Sequence, residues 1–166
     1  RRSYDNCPMI LLRAGILVFI FGLLQAVFPE NAKLFSAAPD LLLISVFIFG
    51  LTLNFWQAFL LGAISGIIKD SFSLSPLGFN ALVFSGWAAF IYYISRRVSI
   101  EDFISRSLVL LSVALVNNIL LGLFLIYSGS LIPLGIFLRL VTLSSLYTAA
   151  VFMFSSKIIL KWLDLK

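Results

Sequence analysis

Polar interruptions divide the chain into six apolar blocks, at about residues 10–28, 37–53, 55–69, 78–95, 107–127 and 133–157. Within them the apolar side chains do not alternate. Ile16 to Leu24, Leu41 to Leu53 and Leu108 to Leu115 are apolar on every side, whereas strands of a membrane barrel would show a period of two. The pattern predicts helices, and a bilayer core of ~30 Å takes about 20 residues of each. We read an all-α integral membrane protein, a six-transmembrane-helix bundle in one membrane domain over residues 1–166. The second and third blocks are short and nearly fused through Asn54. At about 1.5 Å per residue each barely crosses the hydrocarbon. They form a tight, tilted hairpin, or one is re-entrant and lined by protein. The second case leaves five spans.

The most informative interruption lies between Gly62 and Leu82, where the chain reads GAISGIIKDSFSLSPLGFNAL. An apolar helix stops on Lys69 and Asp70, turns through Pro76-Leu77-Gly78, and re-enters apolar sequence at Phe79. Pro76 fixes its own φ and restricts Ser75, and Gly78 tolerates a positive φ, so the turn is expected to have a defined shape. A rigid polar turn at a helix end suits a binding surface.

Composition then sets the solvent. With 61% hydrophobic residues and a mean hydropathy of +1.11 over 166 residues, too little polar surface exists to coat a soluble globule. The net charge of +5 is an orientation signal. Arg1, Arg2, Arg13, Arg96, Arg97, Arg106, Lys157, Lys161 and Lys166 fall on one face of a six-span layout, against Lys33 and Lys69 on the other. The positive-inside rule makes the first face cytoplasmic, with both termini inside. Glu30, Asp40 and Asp70 belong to the outer connections. No nucleic-acid patch is implied. Ser36-Ala37-Ala38 resembles a cleavage site, but the following Pro39 disfavours cleavage, so the first block is read as a retained helix.

The chain has no histidine, a single cysteine, Cys7, and no Gly-rich phosphate loop, and its seven carboxylates are scattered over both faces. We therefore expect no enzyme, no cofactor and no metal site. Polar residues at membrane depth carry the remaining interest, since an unpaired charge there costs on the order of 3 kcal/mol or more. Arg139, two turns into the last helix, is expected to pair with Asp70 or, second, Asp40, or else to snorkel to the headgroups. Asn117 and Asn118 need hydrogen-bond partners, as do Gln25 and Gln57 to a lesser degree. Gly62 and Gly66 form GxxxG, and Gly22 with Ala26 gives a similar small-residue face, for packing within the bundle or for a partner's helix. Trp56, Trp87, Tyr92, Tyr93, Tyr127 and Trp162 read as interfacial anchors. In the connection 96–106, Ser99 can cap a short amphipathic helix whose Ile100, Phe103 and Ile104 face the membrane surface, or the stretch is a solvated connector.

Three stretches together resemble the bacterial rod shape-determining MreD family: Ala38-Pro39-Asp40-Leu41-Leu42-Leu43, Gly62 to Asp70, and Pro76-Leu77-Gly78-Phe79-Asn80-Ala81. Length and six-helix layout agree, and Lys69 departs from the apolar or neutral residue expected before the aspartate. The resemblance implies a non-enzymatic subunit of the elongation (rod) complex in the bacterial plasma membrane. It would dock MreC and help link MreB filaments to RodA and a penicillin-binding transpeptidase. It also implies a fold similar to the substrate-binding subunits of energy-coupling-factor vitamin transporters. Pro39, Asp40, Gly66, Asp70, Pro76, Gly78 and Asn80 are the motif positions it carries over, as residues that shape the outer turn. The competing reading is such a vitamin-binding subunit, with a pocket built from Asn54, Trp56, Asp70, Asn80 and Arg139.

Overall fold

A computed structural model describes residues 7–27, 38–73, 76–97, 102–129 and 133–162. The described residues form six helices and no strands: α1 (Cys7–Val27), α2 (Leu41–Thr52), α3 (Phe55–Phe72), α4 (Phe79–Arg97), α5 (Phe103–Tyr127) and α6 (Leu134–Trp162). Three of them, α1, α5 and α6, are long and apolar enough to cross a membrane. The architecture is a membrane helical bundle. Glu30, Lys33 and the Ser36-Ala37 part of the cleavage-like stretch fall outside the described residues, as do Arg1, Arg2, Lys166 and Ser99.

The centre of the bundle is α2. Every residue from Leu41 to Gly50 is buried, and the helix packs against α1, α3 and α4 and touches α5 and α6. It has 12 residues, about 18 Å at the usual rise, well short of a ~30 Å hydrocarbon core. The backbone N–H of Asp40 donates to Thr148 Oγ1 at 3.0 Å. Thr148 lies 14 residues into α6, about 21 Å along it. So α2 begins inside protein, level with the ends of α1 and α3, and its short length is tolerated because other helices surround it. Helix α2 is lined by protein, and its junction with α3 is a hairpin with only Leu53 and Asn54 between the helices.

Helix α3 continues past Lys69 and Asp70 to Phe72, because both charges meet partners there. Helix α2 starts four residues later than the apolar pattern suggests. Asp40 Oδ1 accepts the N–H of Leu43 at 3.1 Å, an N-cap that satisfies a donor otherwise left unpaired at a helix start. Of the stretch read as an amphipathic helix or a solvated connector, Ser99 and Ile100 lie outside the described residues, and Phe103 and Ile104 open α5 itself, with Asp102 at its N-cap.

The α3–α4 hairpin is the tightest pair. A Cβ on Gly66 would lie 2.4 Å from Ala81 Cα and from the Asn80 carbonyl oxygen, and one on Gly62 2.9 Å from the Phe84 carbonyl oxygen. The GxxxG face is thus consumed by α4. In lipid, where apolar burial gives helices little drive to associate, such close backbone approach is a main source of cohesion. Gly22 faces a side-chain methyl of Ile68 of α3, 2.9 Å from where its Cβ would lie, while Ala26 is exposed. Helix α5 packs chiefly on α6, where Asn118 Nδ2 donates to Ser145 Oγ at 3.0 Å. Phe47 of α2 meets Phe152 of α6 edge to face at 5.5 Å, and Phe79 of α4 contacts Phe124 of α5 at 4.4 Å.

Candidate functional site

The polar residues singled out in the sequence converge where α3 ends. Asp70 is 4% exposed and its carboxylate faces the start of α4. Oδ2 accepts the N–H of Gly78 at 2.8 Å and that of Ala81 at 3.4 Å. Oδ1 accepts the N–H of Asn80 at 3.1 Å and its side-chain Nδ2 at 2.8 Å. Asn80 Nδ2 also lies 3.4 Å from Ser73 Oγ. Gly78 has φ +101°, which turns its amide toward Asp70 and which a Cβ would strain. The Pro76 carbonyl accepts the N–H of Phe79 at 3.2 Å. Asp70 is therefore an N-cap supplied from the preceding helix. It satisfies the free amides of α4 and places a negative charge at the positive end of that helix.

One residue earlier, Lys69 turns the other way. Its ammonium pairs with Asp40 Oδ2 and lies 4.7 Å from the centroid of the Phe84 ring. Asp40 thus caps α2 with one oxygen and binds α3 with the other. Three further contacts fix the same helix start: Leu42 N–H donates to Gln25 Oε1 of α1 at 3.3 Å, Asp40 N–H to Thr148, and Ser144 Oγ to the Ala38 carbonyl at 3.1 Å. Adjacent residues at the end of α3 hold two different helices, Lys69 reaching α2 and Asp70 reaching α4. Pro39 is buried beside this knot.

Several expectations change accordingly. The cation at Asp40 is Lys69 and not Arg139, which lies on α6 nine residues before Thr148, about 13 Å along the axis. Arg139 is exposed. The partners that define the position of Asp70 are α4 amides. Lys69, the departure from the family pattern, serves Asp40. The vitamin pocket drawn from Asn54, Trp56, Asp70, Asn80 and Arg139 is not assembled. Asn54 and Trp56 stand at the start of α3 and Asp70 at its end, 14 or more residues away, about 21 Å. Trp56 belongs instead to an aromatic group with Phe55, Phe59 and Tyr92. Sequence reasoning missed Ser144 and Thr148. Their signal was a pair of hydroxyls four apart in an apolar helix, which more often bond their own backbone; Thr148 Oγ1 does so as well, to Ser144 O at 2.8 Å.

Asn117 is 2% exposed, and its Nδ2 has no hydrogen-bond partner among the described residues. Asn118, its neighbour, is the one that bridges helices. Among the described residues the oxygens of Asp40 and Asp70 face ammonium and amide donors. The arrangement is a rigid polar knot joining five of the six helices.

Residues 9–158 match the family model of rod shape-determining protein MreD. The chain belongs to the MreD family. No curated protein and no solved structure matches it. As an MreD-family chain it is an integral membrane protein of the bacterial rod-shape system, from a structural, shape-determining family. The matched range contains the whole knot, from Gln25 through Asp40, Lys69 and Asp70 to Thr148.

Proposed function

We propose that this MreD-family chain is the multi-pass plasma-membrane subunit of the elongation complex that docks MreC and so helps link MreB filaments to RodA and a penicillin-binding transpeptidase. The observation that supports a scaffolding role is the interlocked start of α2 and end of α3, where two buried carboxylates hold helices in register. A scaffold needs a fixed outline, and this knot provides one. Because Gly62, Gly66 and Gly22 are occupied by α4 and α3, a partner's helix would meet the lipid-facing sides of the bundle. The single membrane domain would have both termini in the cytoplasm, as the Lys and Arg distribution suggests.

The test is purification of the tagged chain from its native membrane in mild detergent, followed by mass spectrometry of what accompanies it. Recovery of MreC, RodA or the transpeptidase supports the proposal. Recovery of a paired ATPase module with a membrane coupling subunit overturns it in favour of solute transport. Accessibility of single cysteines at positions 98 and 130 to an impermeant reagent tests the orientation, and labelling of position 98 from outside intact cells would reverse it.

A further inference from the structure

The end of the bundle opposite the knot carries a second constellation, at the C-terminus of α4. Arg97 Cζ lies 5.0 Å from the centroid of the Tyr93 ring, and its Nη2 donates to Tyr93 Oη at 2.7 Å. Arg96 Cζ lies 5.2 Å from the centroid of the Tyr92 ring. Tyr92 is itself held edge-on by Phe55 of α3 at 5.8 Å. Among the described residues neither guanidinium meets a carboxylate, although Asp102 stands at the nearby start of α5. Two arginines are thus seated on aromatic faces, exposed, and without an acidic partner among the described residues.

Below them runs a continuous exposed stripe. Leu82, Gly86, Phe90, Tyr93 and Arg97 recur at helical spacing, and all are exposed, Leu82 at 77% and Phe90 at 51%. A Cβ on Gly86 would meet nothing within 4 Å. The stripe therefore dips between Leu82 and Phe90 and ends at a guanidinium.

We infer that α4 carries a site for an anionic phospholipid, its phosphate on Arg96 and Arg97 and an acyl chain in the dip at Gly86. Planar guanidinium groups match phosphate oxygens with paired N–H donors, and stacking on a tyrosine reduces the freedom lost on binding. A cation–aromatic level at the end of a lipid-facing helix is where headgroups lie. The surface potential of an anionic leaflet adds attraction for each positive charge. Nothing in this inference depends on the partners proposed above.

Native mass spectrometry of the full chain in mild detergent tests it, with phosphatidylglycerol and phosphatidylcholine of identical chains offered together. We expect phosphatidylglycerol to be retained about tenfold over phosphatidylcholine, because both carry the phosphate but the choline cation repels the arginine pair and opposes its close approach. Arg96→Gln with Arg97→Gln should bring the two lipids to parity. Arg96→Lys with Arg97→Lys keeps both charges but loses the paired donors, and should forfeit most of the preference. Gly86→Leu should weaken long-chain phosphatidylglycerol while leaving a short-chain form with the same headgroup unaffected. Equal retention of the two lipids by the unmodified chain would overturn the inference. So would a lysine pair indistinguishable from arginine, which would reduce the effect to surface charge, or displacement of the lipid by millimolar inorganic phosphate, which would make the site one for a free anion. If the glutamine pair fails to fold, the lysine pair and Gly86→Leu still decide between these outcomes.

Discussion

Replacing Asp70 by Ala tests the central structural argument most directly. The substitution removes the acceptor for the backbone amides of Gly78, Asn80 and Ala81 and for Asn80 Nδ2, at distances from 2.8 to 3.4 Å, in a side chain that is almost wholly enclosed. Hydrogen bonds to a charged acceptor contribute about 1.5–3 kcal/mol each, and a buried donor left without a partner costs about 1–3 kcal/mol. The four contacts share one carboxylate and do not add, so we take the two shortest as decisive. That gives a destabilisation of about 3–6 kcal/mol. For a chain of this size about 1 kcal/mol moves the melting temperature by roughly 2–4 °C, so Asp70→Ala should melt at least about 6 °C below the unmodified protein. Asp70→Asn keeps one carbonyl acceptor but turns an amide donor toward other donors, and should lose about half as much. The assay is thermal unfolding in one detergent at fixed protein-to-detergent ratio, followed by intrinsic tryptophan fluorescence. An Asp70→Ala protein melting within about 2 °C of the original would refute the cap supplied from α3, and with it the view that this carboxylate sets the α3–α4 register.

Other substitutions separate the remaining contacts. Gly66→Val pushes side-chain carbon into backbone 2.4 Å away, which cannot yield without parting α3 from α4; we expect a loss above about 3 kcal/mol or failure to fold, read as yield of monodisperse protein in size-exclusion chromatography. Asp40→Asn and Lys69→Met each leave a buried charge without its partner, costing about 3–5 kcal/mol, whereas the double variant should recover much of that loss; additive melting shifts would show that the pair is not coupled. Asn118→Leu breaks the bridge to Ser145 and should cost only about 0.6 kcal/mol, as interhelical hydrogen bonds in membranes generally do. Asn117→Leu removes an amide whose nitrogen has no partner among the described residues, so its melting temperature should stay level or rise; a larger fall than for Asn118→Leu would mean that Asn117 bridges helices after all.

The sequence by itself determined the solvent, the helical class, the number of helices and the family resemblance, because each depends on local pattern. Apolar runs without alternation admit one spanning structure, and the polar breaks at Asn54, Lys69-Asp70 and Ser128-Gly129 fall within a few residues of helix ends. The turn at Pro76-Gly78 was legible for the same reason, since φ preferences belong to single residues. Pairings across helices were not legible. Lys69 and Arg139 are both lone cations in apolar helices, and nothing local says that Lys69 reaches back to Asp40 while Asp70 turns to the α4 amides. That depends on α3 lying between α2 and α4 with successive side chains about 100° apart. Likewise Asn117 and Asn118 look alike in sequence, and only the rotation of α5 gives Asn118 a partner on α6. The enclosure of α2 was decided by tertiary structure alone: a 12-residue apolar helix buries its polar start only when neighbours such as Thr148, Ser144 and Gln25 supply the partners that lipid cannot.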